Sequence, residues 1–138
     1  MSKTACGDRF SGLARLENGI DGRHDTLLEP LAYTTRDSAW TIVIPAGFVT
    51  DYASIPRPLW VAIPPRGRYN RPAIVHDFLY QTAPIDPRTT HRCTWTTADA
   101  VLREACENVC TRATQRWVIW LGLRAGGWVT WRRYRARE

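Results

Sequence analysis
Four prolines between Asp51 and Asn70, at positions 56, 58, 64 and 65, divide the chain into halves that cannot share one kind of structure. Proline lacks a backbone N–H and holds the residue before it extended, so this stretch has room for at most one short turn, around "PLWVA". It reads as a long, stiff, irregular connection. Before it, "RFSGLARLE", "LLEPLAYTT" and "WTIVIPAGF" are short, alternating or rich in β-formers, and the turn-like "NGIDGRHD" and "TRDSA" separate them. They predict about three strands in a small antiparallel sheet. After it, helical patterns are expected over Arg71 to about Thr82, Thr96 to about Cys110, and Ala113 to Arg124, the last broken at Gly126-Gly127 and resuming beyond. Strands followed by helices argue for an α+β fold, with residues 1–138 as a single domain and a basic Trp/Arg-rich tail from about 126.

The net charge of +6 sits entirely at one end. Residues 1–110 hold 12 Lys and Arg against 12 Asp and Glu, whereas residues 111–138 hold seven arginines against Glu138 alone. Four of the seven tryptophans, at 117, 120, 128 and 131, lie in that same stretch. Arginine with tryptophan suits an anionic partner, by pairing with phosphate and by placing an amphipathic ring at an interface. Trp128, Trp131, Arg132 and Arg133 are the candidate docking residues; the plainer reading packs the tryptophans on the core and leaves a basic helix end. The four cysteines lack paired C-x-x-C spacing, and reduced structural thiols are expected, with no bond between Cys106 and Cys110. The longest apolar run, "WVIWLGL", is far shorter than the ~20 residues that span a bilayer, which implies a soluble chain made in the cytoplasm.

One short helix carries the chemistry. In "AIVHDFLY", Ile74, Val75, Phe78 and Leu79 share one arc and must meet the core, which leaves Ala73, His76, Asp77 and Tyr80 on the other. A solvated arc is ordinarily drawn from Lys, Glu, Gln and Arg; short and planar groups suggest one that looks into a site, although a two-turn helix can carry such residues on ordinary surface. On the next helix Asp99 sits at the edge of the apolar stripe. It can pair with that arc, close a capping box from Thr96, or bind Arg103 one turn on.

"FVTDYASIPRPLW", "GRYNRPAIVHDFLY" and "TTADAVLREA" together resemble a phage and prophage family known as a domain of unknown function, DUF1353. The resemblance spans roughly residues 40–130. It implies a viral or prophage origin, with synthesis in the host cytoplasm and association with the virion. Within it, H-D-x-x-Y followed by an aspartate on the next helix is similar to the catalytic helices of A2-type phospholipases. That likeness implies His76 as the base that activates water, Asp77 as a calcium ligand, and Tyr80 with Asp99 fixing the imidazole. An imidazole can take a proton from water near neutral pH, and a hard cation with oxygen ligands can polarise an ester carbonyl. The paired cysteines of the secreted enzymes are missing, and the only nearby candidate for their glycine-rich calcium loop is "PPRGRYN", with Gly67, whose arginines would repel calcium. Asp51 stands as the second candidate metal ligand, and as plain structure it would form an Asx-turn.

Two functional readings follow. The first is a metal-assisted hydrolase acting on the host envelope, on a phospholipid ester or a cell-wall amide, with calcium as its divalent cofactor. The second is a non-enzymatic virion or assembly protein, partnered by other phage proteins, in which the same side chains form a structural polar network. Nucleic-acid binding through the C-terminal arginines ranks last, since no recognisable DNA- or RNA-binding motif accompanies them.

Overall fold
The computed structural model describes residues 9–12, 14–21, 24–50, 70–108 and 113–138. In the first half lie β1 (Leu16–Asn18), β2 (Asp25–Leu27), β3 (Leu31–Thr34), β4 (Thr41–Ile44) and β5 (Val49–Thr50). Strands β1, β2 and β5 form one antiparallel sheet in that order, and β3 pairs with β4 in a separate hairpin. Two of the three stretches expected to be single strands are interrupted at proline. "LLEPLAYTT" divides at Pro30 into β2 and β3, and in "WTIVIPAGF" β4 ends before Pro45-Ala46-Gly47, where Gly47 takes φ 91°, with β5 starting only after Phe48. A proline cannot donate to a ladder, so each break sends the chain to a different sheet.

Period-2 alternation then fixes the faces. Leu31 and Tyr33 on β3 point inward opposite Ile44 and Ile42 on β4, while Thr41 and Val43 point out. The Tyr33 hydroxyl donates to Glu104, whose Oε1 also accepts from the Arg36 backbone N–H at 2.7 Å, and this ties the hairpin to the second helix.

The helices are α1 (Asn70–Thr82), α2 (Trp95–Asn108) and α3 (Ala113–Arg135), which completes the expected α+β arrangement. Between α1 and α2 lies a hairpin of two-residue strands that the sequence does not signal, β6 (Ile85–Asp86) with β7 (His91–Arg92), joined by the four residues 87–90. Helix α1 stops where Ala83 enters the left-handed region (φ 41°) ahead of Pro84. Its last carbonyls accept from arginines elsewhere in the chain: Arg135 Nη2 reaches the Tyr80 and Gln81 oxygens at 2.6 and 2.9 Å, and Arg92 reaches those of Thr82 and Ala83. Since α1 has no cation in its own last turn, these two side chains supply the positive charge its C-terminus favours.

Helix α1 is enclosed on both arcs. It contacts β4 and β5 as well as α2 and α3, and every residue from Ala73 to Tyr80 is buried except the half-buried Phe78. The arc bearing His76 and Tyr80 is therefore not a solvated surface. The core runs from Tyr33, Ile42 and Ile44 through Ile74, Val75 and Leu79 to Val101 and Leu102, so both halves of the chain share it.

Helix α3 differs from expectation. It runs unbroken through Gly126 and Gly127, and residues 126–135 are the end of a packed helix rather than a loose tail, with Trp131 and Tyr134 against the core. Glycine's low helix propensity predicts a break, at a cost near 1 kcal/mol per residue, and tertiary packing overrides it here. No described helix is long and apolar enough to cross a membrane.

Candidate active site
His76 and Tyr80 lie one turn apart on α1, so their side chains leave the helix on one face. Their rings lie 4.3 Å apart, centroid to centroid. Asp99, from the second turn of α2, enters beneath both: its Oδ1 is 2.8 Å from His76 Nε2 and accepts the Tyr80 hydroxyl at 2.7 Å. All three side chains are within 1% of complete burial. The two local alternatives for Asp99 are not realised, because other groups take those roles. Thr94 Oγ1 caps α2 by accepting the Thr97 N–H, and Arg103 pairs with Glu107 and lies over the Trp117 and Trp120 rings.

Burial, with the Asp99 carboxylate next in effect, pushes the Tyr80 phenol well above its ordinary value, so it remains a donor. No hydrogen bond reaches Asp99 Oδ2 among the described residues. A buried carboxylate oxygen without a donor costs about 1–3 kcal/mol, which a network maintained only for stability would be expected to avoid.

Asp77, adjacent in sequence, leaves the helix in another direction. Its Oδ2 accepts from Thr50 Oγ1 at 2.6 Å and from Gln81 Nε2 at 3.0 Å, which fastens α1 to the end of β5. Asp77 therefore does not share the hydrogen bonds that join His76, Tyr80 and Asp99. Asp51 follows Thr50 directly and lies outside the described residues, as does Cys110. Cys93 and Cys106 are buried.

Calcium takes about six to eight oxygen ligands. At Asp77 the described residues offer its own carboxylate, the Thr50 hydroxyl and the Gln81 side-chain amide, and no three described His, Cys, Asp or Glu side chains gather as a metal site. These residues do not by themselves fit a calcium site.

The third wall of the centre comes from α3 and was missed in the sequence. A Cβ on Gly127 would lie 2.5 Å from the Tyr80 hydroxyl oxygen and 3.6 Å from Asp99 Oδ2, so only glycine lets α3 approach this closely. One turn on, Trp131 packs edge-on against Tyr80, with ring centroids 5.2 Å apart at 90°. Trp131 thus supports the centre instead of standing free for docking. Trp128 is exposed, with the Arg132 guanidinium 5.0 Å over its ring, and Arg133 is exposed beside them. Thr50 and Gln81 carried no signal of their own, although Gln81 stands at i+4 from Asp77, a spacing at which such pairs form.

A small α+β protein with a buried His–Asp–Tyr centre between two packed helices, closed by a glycine on a third, is the class that this fold and site define. The chain belongs to the family described as protein of unknown function (DUF1353), whose model matches residues 25–123, a span that includes His76, Asp77, Tyr80 and Asp99. No curated protein and no solved structure matches it.

Proposed function
We propose that this is a phage-encoded hydrolase of the host envelope, cutting a phospholipid ester or a cell-wall amide with His76 as general base. One observation carries the reading: a single carboxylate oxygen, Asp99 Oδ1, gathers both His76 Nε2 and the Tyr80 hydroxyl. Two donors on one acceptor fix the ring and assign the proton to Nε2, so Nδ1 is the basic nitrogen. In the reaction Nδ1 takes a proton from water as the water oxygen bonds to the carbonyl carbon. The tetrahedral intermediate then expels the ester oxygen or amide nitrogen, and the imidazolium returns the proton to it. Asp99 stabilises the imidazolium, and Tyr80 holds Asp99.

A second reading rests on the completeness of burial. His76 is 0% exposed, which suits a structural polar network in a virion or assembly protein. Turnover separates the two. Purified protein would be offered dispersed phosphatidylglycerol and, separately, purified peptidoglycan, each with calcium, with magnesium and with chelator, and released fatty acid or new amines would be measured. The hydrolase reading expects turnover that His76→Asn lowers by roughly 10²–10⁴-fold at unchanged secondary structure. Absence of turnover in every condition, or full activity in His76→Asn, would leave the network reading in its place.

A further inference from the structure
Helix α3 is apolar on two sides. Its inner side presents Gly127, Trp131 and Tyr134 to the core. Its outer side carries Trp117 (53% exposed), Val118 (40%), Leu121 (56%), Trp128 (41%) and Val129 (42%). These are five of the ten exposed large apolar side chains among the described residues, and at 100° per residue they fall within an arc of about 120°. From Trp117 to Val129 the stripe runs about 18 Å along the helix.

We propose that this outer face of α3 is a docking surface for an anionic lipid bilayer, with the helix lying flat in the headgroup layer. Charge selects the occupant. Residues 113–135 contain no Asp or Glu. Arginines flank the stripe: Arg132 lies 5.0 Å over the Trp128 ring, and exposed Arg124 lies against Trp95 and Trp120 beside it. An apolar strip of Trp, Leu and Val edged by cations matches the boundary between acyl chains and anionic headgroups. A second copy of the chain fits less well, since pairing the two stripes would bring Arg124 and Arg132 toward their counterparts with no carboxylate on either helix. The surface differs from the expected tail: it starts ten residues before Gly127, and Trp131 is not part of it. It rests on α3 alone and does not depend on His76 being a base.

The test is co-sedimentation of the full chain with vesicles of phosphatidylcholine alone and with vesicles in which about three lipids in ten are phosphatidylglycerol, in about 0.05 M and about 0.5 M salt. Expected are at least tenfold stronger partition onto the anionic vesicles, weakening as salt rises, and a tenfold or greater loss in the double variant Leu121→Glu, Val129→Glu. Both positions are exposed, so melting should be unchanged, and Val43→Glu, equally exposed on β4, should bind like the wild type. Equal binding to both vesicle types, no binding to either, or full binding by the double variant overturns the proposal. So does light scattering that shows a dimer lost in the double variant when no vesicle is bound, because the face then belongs to a second copy.

Discussion

Gly127→Ala and Gly126→Ala are adjacent, chemically identical changes in one helix, and the structure assigns them opposite signs. At Gly126 an added Cβ meets nothing within 4 Å, so the change should stabilise by the ordinary glycine-to-alanine gain of about 0.5–1 kcal/mol. At Gly127 the Cβ would stand 2.5 Å from the Tyr80 hydroxyl oxygen, roughly 0.8 Å inside ordinary contact. Tyr80 cannot swing away freely, because its hydroxyl is held 2.7 Å from Asp99 and its ring lies between His76 and Trp131. Overpacking of this kind costs about 1–3 kcal/mol, and losing the Tyr80–Asp99 hydrogen bond adds about 0.5–1.5. After the propensity gain, Gly127→Ala should lose about 1–3 kcal/mol net. Urea unfolding followed by tryptophan fluorescence measures both variants, with the slope m as a check that the unfolded states are alike. Tyr80→Phe supplies an internal control: it removes the clashing oxygen and leaves ring carbon Cζ at 3.7 Å, an ordinary contact, so it should rescue much of the Gly127→Ala loss in a double-mutant cycle. If both alanine variants are equally stabilised, or if Tyr80→Phe restores nothing, α3 does not close the centre as described.

Arg135→Ala removes the donor from the Tyr80 and Gln81 carbonyls and should cost about 1–3 kcal/mol in the same unfolding assay, whereas Arg137→Ala on the exposed end should stay within about 0.5. Hydrogen bonds from Arg88 hold the buried Asp86 carboxyl below its ordinary 3.8, so its stabilisation is complete above that value and is lost as the folded group protonates at lower pH. The melting temperature of Asp86→Asn should therefore lie below that of the wild type at neutral pH and converge with it in acid; a constant gap would refute the assignment. Burial pushes the Cys93 thiol from 9.0 up to about 12, a raised value, so its contribution is whole below pH 9 and disappears as pH rises towards 12. Iodoacetamide at about pH 8 should accordingly label Cys93 far more slowly in the native protein than in urea, and equal rates would show that the thiol is not buried.

What could be read from the sequence followed from how far apart the cooperating residues lie. Helix α1 was legible because its two arcs repeat at the helical period within eight residues, and so was the oddity of an arc holding His76 and Tyr80. The meeting of that arc with Asp99 was open from the residues, since Asp99 had a cap and an arginine equally near in sequence; antiparallel packing of the two helices and the resemblance to the phospholipase helices favoured it. Strands of two or three residues, such as β5, β6 and β7, contain less than two full alternations, so no period exists to detect; the prolines that cut the longer runs were visible, but not the sheet each piece would join. Gly127 failed for a different reason. A glycine pair within a helix has the same local cost whether the chain breaks there or another element needs the room, and the deciding atom, the Tyr80 hydroxyl, stands 47 residues away. The arginines show the same ambiguity in charge. Seven cations with one carboxylate suggested an external anion, yet Arg135 is occupied by the carbonyls that end α1, and Arg92, outside that cluster, does the same work. Arg135 and Arg92 are thus occupied within the fold, whereas Arg132 lies over the exposed Trp128 ring, so the anionic surface is better sought along the outer face of α3 around Trp128 than at Arg135.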